Sequence, residues 1–119
     1  MSHFLILHVA SPAASAAFYA GLLERQPVEA SPGFVMFALS DGLMLGLWAC
    51  DGVVPAASAA IGGSELAFPV GAADAVDATH AAWSGRGVTI LQPPTDLDFG
   101  RSFVAADPDG HWLRVFAPG

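Results

Sequence analysis

The pattern of apolar positions along the chain changes from strand-like to helix-like and back again. An apolar run at residues 4–10 predicts a strand. Ser11 and Pro12 follow, and they predict the start of a helix, because a serine side chain can cap a first turn and proline suits that turn. Residues 13–23 are rich in alanine and keep apolar residues at helical spacing. We expect the apolar face of this helix to pack on a sheet.

Three further apolar segments complete the first half of the chain, and turn residues separate them. Ser31-Pro32-Gly33 and Ser40-Asp41-Gly42 are the turn sequences, the second being typical of a hairpin. The predicted strands lie at residues 26–30, 34–39 and 43–49. The first half therefore reads as strand, helix and three strands.

The second half repeats this order after a change in composition. Residues 51–63 are mostly glycine, proline, alanine and serine, which predicts a linker. The predicted strands are 65–70, 88–92, 102–106 and 111–116, and the predicted helix is 72–83. Residues 93–100 read as a long polar loop, which we interpret as a lid over a binding site.

This internal repeat decides the predicted fold class. It indicates an α+β protein of two tandem βαβββ modules, residues 1–50 and 64–119, joined by the linker 51–63 within a single domain 1–119. One helix covers only one face of each sheet. The uncovered faces should come together around an open-sheet cleft, which is the expected site.

Composition narrows the classes of function. The 119 residues are 54% hydrophobic, enough to bury a core. A formal net charge of −7 argues against a nucleic-acid partner and favours a neutral or cationic ligand. Cys50 is the single cysteine, the N-terminus lacks signal-peptide features, and polar residues interrupt every apolar run before membrane-spanning length. We expect a soluble, cytoplasmic protein that neither enters nor binds a membrane.

A turn that feeds an alternating strand occurs twice and carries a family resemblance. It is seen in Asp107-Pro108-Asp109-Gly110 before residues 111–116, and in Asp41-Gly42 before residues 43–48. With the repeat, Phe18-Tyr19 and Leu22-Leu23, it resembles the vicinal oxygen chelate superfamily (glyoxalase I, extradiol dioxygenases, fosfomycin- and bleomycin-resistance proteins). Asp98-Phe99-Gly100-Arg101 and residues 113–116 look most like its phenazine-antibiotic resistance and related drug-binding members. Asp107 and Asp109 themselves are best explained as turn residues that bond the backbone.

The resemblance also implies where a metal site would be. Catalytic relatives carry ligands on the first strand of each module and four residues past each turn glycine, and these places hold Phe4, Gly46, Glu65 and Arg114. Only Glu65 could coordinate, whereas a catalytic zinc needs about three protein ligands. We therefore expect neither a metal nor another cofactor. The resemblance further implies a homodimer whose modules share a cleft.

Strand alternation predicts which side chains face the cleft. They are a mixture of aromatic, methionine and polar residues, typical of a site for a flat apolar molecule. The predicted ligand-binding residues are Phe4, His8, Phe34, Met36, Met44, Trp48, Glu65, Ser102, Trp112, Arg114 and Phe116. Glu65 and Arg114 either form a structural ion pair or hold a polar end of the ligand. His8 is either a structural hydrogen bonder or a ligand contact.

The function expected from these features is a metal-free protein that sequesters a planar aromatic antibiotic, in a resistance or carrier role, with no catalytic residue. Two alternatives stay open. One is a glyoxalase-type or isomerase enzyme with a degenerate metal site. The other is a structural or regulatory module whose cleft is filled by its own side chains.

Overall fold

The computed structural model describes residues 3–40, 42–53 and 63–118. The elements follow the predicted order twice, as strand, helix and three strands. They are β1 (His3–Val9), α1 (Pro12–Leu23), β2 (Glu29–Ala30), β3 (Phe34–Ser40), β4 (Leu43–Ala49), a short 3-10 helix (Cys50–Gly52), β5 (Glu65–Pro69), α2 (Ala73–Gly85), β6 (Thr89–Leu97), β7 (Gly100–Ala106) and β8 (Trp112–Pro118). The chain divides into two compact units, Met1–Gly62 and Gly63–Gly119. The predicted α+β fold of two βαβββ modules is confirmed.

The first unit is a four-stranded sheet with α1 on one face. Its strand order is β1-β4-β3-β2, and β1 runs parallel to β4. The side chain of Ser11 accepts a hydrogen bond from the Ala14 N–H at 3.2 Å, so the predicted serine cap is present. Beneath the helix lie buried apolar side chains, one from every second strand position: Leu7, Val9, Val35, Phe37, Leu45 and Leu47.

The second unit repeats this arrangement with the order β5-β8-β7-β6. Trp83 of α2 packs edge-on against Phe68 and Phe103, with ring centroids 6.2 and 5.3 Å apart. Such edge-to-face pairs are favoured geometries in a core. Pro69 lies on β5, an edge strand, where its missing N–H costs no ladder bond. Neither described helix is long and apolar enough to cross a membrane.

The turn before β8 is held by one buried carboxylate. Asp107 Oδ1 accepts hydrogen bonds from the Asp109 N–H at 2.9 Å and the His111 N–H at 2.8 Å. Gly110 has a φ of 87°, which is left-handed backbone that glycine adopts without strain. This confirms the backbone-bonding explanation of Asp107. The matching Asp41 turn of the first unit contains a residue outside the described part of the chain.

The predicted lid is wrong. β6 continues through Leu97 and pairs with β7 down to Gly100, so only Asp98 and Phe99 remain as a two-residue hairpin turn. Two register shifts, between Ile90 and Gln92 and between Gln92 and Thr95, accommodate the two prolines of this edge strand. Proline and polar residues suggested a loop, whereas an irregular edge strand tolerates both.

Arg101 fastens this hairpin to α2. Its guanidinium donates to Asp96 and to Asp77, each at 3.0 Å. The hydrogen bond to Asp96, and then that to Asp77, raises the pKa of Arg101 above its ordinary value. The hairpin is therefore tied to the helix-covered side of its sheet.

Two other boundaries differ from the sequence prediction. The strand predicted at residues 26–30 is reduced to Glu29–Ala30, although the Val28 N–H still donates to the Met36 carbonyl. In the predicted linker, Cys50–Gly52 form a turn of 3-10 helix. Residues 54–62 of that linker lie outside the described residues.

Candidate functional site

The candidate site consists of the sheet faces that the helices leave open. Along β1, Leu7 and Val9 are buried under α1, while Phe4 and Ile6 are 55% and 40% exposed. Along β8, Leu113 and Val115 are fully buried, and Trp112, the first residue of the strand, is 47% exposed. Burial in β1 and β8 thus alternates in the predicted register, whereas β7 is buried on both faces from Ser102 to Ala105. Each predicted ligand-binding residue lies on the open face of its own sheet.

An aromatic row crosses the open face of the first unit. His8, Trp48 and Phe34 are neighbours across β1, β4 and β3. The Trp48 ring meets the rings of His8 and Phe34 edge-on, with both centroid distances 6.4 Å. These contacts fix the orientation of the indole, so the row is a preformed aromatic surface.

Gly46 makes this surface possible. A Cβ atom at this position would lie 2.8 Å from Cζ of Phe34 and 3.4 Å from Cγ1 of Ile6, and the first separation is too short for carbon atoms. The Phe34 ring therefore covers the strand position at which the family resemblance implies a metal ligand. Met36 pairs with Gly46, and Met44 pairs with Phe4, so flexible thioethers surround the rings.

A charged cluster occupies the corresponding place on the second unit. The Arg114 Nε and Nη2 groups donate to the two carboxylate oxygens of Glu65, at 3.3 and 3.4 Å. Its Nη1 group donates to the Ser102 hydroxyl at 3.0 Å, and Ser102 is fully buried. Of the two alternatives for Glu65 and Arg114, the structural ion pair is present. The guanidinium is held in one orientation by three hydrogen bonds.

Phe99 belongs to the same cluster, although the sequence analysis did not assign it to the site. The Arg114 Cζ atom lies 5.9 Å from the centre of the Phe99 ring, within cation–π range. The Phe99 ring also meets Phe116 edge-on at 6.2 Å. Gly100 was the signal in the sequence that could have indicated a hairpin turn at Asp98 and Phe99. Such a two-residue turn places Phe99 near β8, where its ring meets Phe116.

These side chains do not fit the metal that the fold family implies. On the first unit, Phe4 and Gly46 offer no side-chain ligand atom. On the second, the Glu65 carboxylate is engaged by the cationic Arg114. Within residues 3–40, 42–53 and 63–118, no three His, Cys, Asp or Glu side chains are grouped as a metal would require.

Two βαβββ units, each with a helix on one sheet face and an open opposite face, define the glyoxalase/bleomycin-resistance fold. The model of the Glyoxalase/Bleomycin resistance protein/Dioxygenase superfamily matches residues 1–115. The chain belongs to this superfamily.

Relatives within the superfamily include a resistance protein. The chain is 31% identical over 114 residues to the phenazine antibiotic resistance protein EhpR of Enterobacter agglomerans, covering 92% of this chain and 86% of that protein. A solution NMR structure of an Agrobacterium tumefaciens protein is 50% identical, with a TM-score of 0.87 over 100% of this chain and 99% of that one. A glyoxalase-related enzyme from Fulvimarina pelagi is 25% identical, with a TM-score of 0.84 over 98% and 87% of the two chains.

Proposed function

We propose that this protein is a metal-free binding protein that sequesters a planar, hydrophobic aromatic antibiotic in a resistance or carrier role. The observation that carries the proposal is the Phe34 ring lying over Gly46 in a row with Trp48 and His8. An aromatic surface stands where a catalytic relative needs a ligand atom. The similarity to a phenazine antibiotic resistance protein supports the same class of ligand.

The open faces supply the two kinds of contact that such a ligand needs. Stacking on an aromatic side chain contributes roughly 0.5 to 1.5 kcal/mol per ring beyond the burial of apolar area. The rings proposed to contact the ligand are Phe4, Phe34, Trp48, Trp112 and Phe116, with Met36 and Met44 filling gaps. His8, Glu65, Ser102 and Arg114 would orient its polar edge. The ligand is held and released without a bond being broken.

We also propose that the protein is a cytoplasmic homodimer. Phe4 and Ile6 lie two residues apart on the same face of β1, and their large apolar side chains are 55% and 40% exposed. Contiguous exposed apolar surface marks sites of binding or association. Light scattering during size-exclusion chromatography should give twice the mass of 12.2 kDa, and a monomer mass at all concentrations would contradict the dimer.

The experiment that tests the proposal is a fluorescence titration with a panel of phenazines and quinoxalines. Trp83 is buried between α2 and its sheet, so a Trp83→Phe variant restricts the signal to Trp48 and Trp112. We expect saturable quenching by at least one compound, which chromatography then recovers unchanged. Absence of quenching and of binding heat across the panel would refute sequestration, and conversion of the compound would indicate an enzyme instead.

A further inference from the structure

We infer that the polar corner around Arg114 selects an uncharged hydrogen-bond acceptor on the planar ligand, such as a carboxamide or ring carbonyl, and disfavours a carboxylate. This inference rests on the proposed function and names the chemistry of its ligand. The acidic composition of the chain favours a neutral or cationic ligand, whereas the cationic Arg114 favours an anionic one. The contacts of Arg114 favour the uncharged ligand group over the anionic one.

The guanidinium keeps donors for a ligand. A guanidinium has five N–H bonds. In the described structure Arg114 uses three of them, two toward Glu65 and one toward Ser102. The Arg114 side chain is 20% exposed, so its remaining N–H groups are not sealed from the surface. An acceptor oxygen can therefore bond Arg114 without displacing either protein partner.

The charge of Arg114 is already balanced. Glu65 places a carboxylate 3.3 Å from Nε, so a ligand carboxylate that bonds Arg114 also comes near a second negative charge and is repelled by it. The rest of the chain adds repulsion, because the formal net charge is −7. An ionised ligand must still lose its hydration, whereas a neutral carbonyl loses far less. The balance favours the neutral acceptor.

The charged cluster of Glu65, Ser102 and Arg114 lies where it could bind a substituent on an aromatic ring. Trp112 and Phe116 stand two residues before and after Arg114 on the same face of β8, about 7 Å along the strand in each direction. Phe99 lies against the guanidinium itself. A ring system stacked on Trp112 would place a substituent beside Arg114, close to the rings of Phe99 and Phe116.

Isothermal titration with a matched ligand pair tests the inference. The probes are a phenazine carboxamide and the corresponding phenazine carboxylate, measured at about pH 8, where the carboxylic acid is ionised. The proteins are the wild-type chain, Glu65→Gln and Asp74→Asn. Glu65→Gln keeps the size of the side chain and one acceptor oxygen for Arg114, and it removes the charge. Asp74 is an exposed residue of the first turn of α2, so Asp74→Asn removes the same charge from the helix-covered side.

We expect the wild-type protein to bind the carboxamide about tenfold more tightly than the carboxylate, and Glu65→Gln to shift this ratio about tenfold toward the carboxylate. Asp74→Asn should shift the ratio by less than about threefold. Tighter wild-type binding of the carboxylate, or an unchanged ratio in Glu65→Gln, would overturn the inference while leaving sequestration intact. If no protein binds either probe and the wider panel also fails, the proposed function falls and this inference with it.

Discussion

The open faces of the two units differ most at one equivalent strand position, four residues past the turn glycine. The first unit has Gly46 there, and the second has Arg114. Gly46 has no side chain, so an aromatic ring from the neighbouring strand lies over the backbone. Arg114 has a long side chain whose charge is balanced by Glu65 from the edge strand. The two units thus replace a metal-ligand position of the fold family in two different ways, by a glycine in the first and by an arginine in the second.

Because of this difference, the two faces offer different kinds of contact. The first presents rings and thioethers, which bind by area and stacking with little directional demand. The second presents oriented donors, which in the proposed function would fix the polar edge of the ligand. Most of the buried apolar side chains of each unit lie on the opposite, helix-covered face, although Ser102 and Val104 of β7 are buried on the open face. Substitutions on the open faces should therefore change binding more than folding.

The largest expected effect on ligand affinity comes from substitutions on the aromatic face of the first unit. Trp48→Ala should weaken phenazine binding roughly thirtyfold, about 2 kcal/mol, because Trp48 is held between His8 and Phe34. Trp112→Ala should weaken it roughly fivefold, because that indole is 47% exposed. Calorimetric titration measures both.

Trp83→Ala is the contrasting variant for this comparison. Trp83 is packed against Phe68 and Phe103, so its loss should cost about 3 to 5 kcal/mol of unfolding free energy, measured with urea. If Trp48→Ala destabilised the protein as much as Trp83→Ala, the division between a binding face and a folding face would be wrong.

The next effect concerns the charged cluster. Arg114→Met should lower the unfolding free energy by about 1 to 2 kcal/mol, because the buried Ser102 hydroxyl loses its partner and Glu65 is left unpaired. Glu65 is 41% exposed, so solvent limits the cost. In a double-mutant cycle with Glu65→Gln, the combined loss should be smaller than the sum by about 0.5 to 1 kcal/mol. Strict additivity would show that the pair contributes nothing.

Gly46→Ala examines the aromatic cover directly. The added methyl group must displace the Phe34 ring, and we expect a loss of about 1 kcal/mol of stability together with weaker phenazine binding. Gly33→Ala is the matched control, because a Cβ atom there has no neighbour within 4 Å and should change stability by less than about 0.5 kcal/mol. Equal effects of the two substitutions would contradict the role given to Gly46.

The smallest effect is expected at the hairpin turn. Phe99→Ala should cost about 0.5 to 1 kcal/mol, because it removes the ring beside Arg114 and the edge contact with Phe116. Phe4→Ala, which truncates a more exposed phenylalanine of the first unit, should cost less. Urea unfolding of both variants compares them, and the reverse order would argue against a structured cluster around Arg114.

The sequence predicted the fold well where periodicity was strong. The repeat and the apolar runs at residues 34–39 and 43–49, bounded by turn residues, predicted the element order. The two-residue period of a strand, combined with the family resemblance, predicted the open face. It failed at residues 93–100, because Pro93 and Pro94 are signals of a loop and yet fit an edge strand with register shifts. An edge strand places fewer demands on backbone N–H groups than a central one.

The remaining features depend on side-chain conformations that no local pattern specifies. The sequence showed that Gly46 provides no metal ligand. It did not show that Phe34 from the adjacent strand covers this position. It left Glu65 and Arg114 as either a pair or a ligand contact, and only the distances show the pair. Phe99 was missed because its neighbours were assigned to a loop. Cross-strand contacts of this kind follow from register and rotamers together.

The central claim, that the open faces bind an aromatic ligand without a metal, is tested most directly by one titration on chelator-treated protein. Phenazine affinity is measured on the chelator-treated protein with and without added zinc, and elemental analysis determines the metal content of the same preparation before chelation. We expect substoichiometric metal and an affinity that zinc changes by less than about twofold. Stoichiometric divalent metal that is lost in Glu65→Gln, or binding that appears only when zinc is restored, would contradict the account.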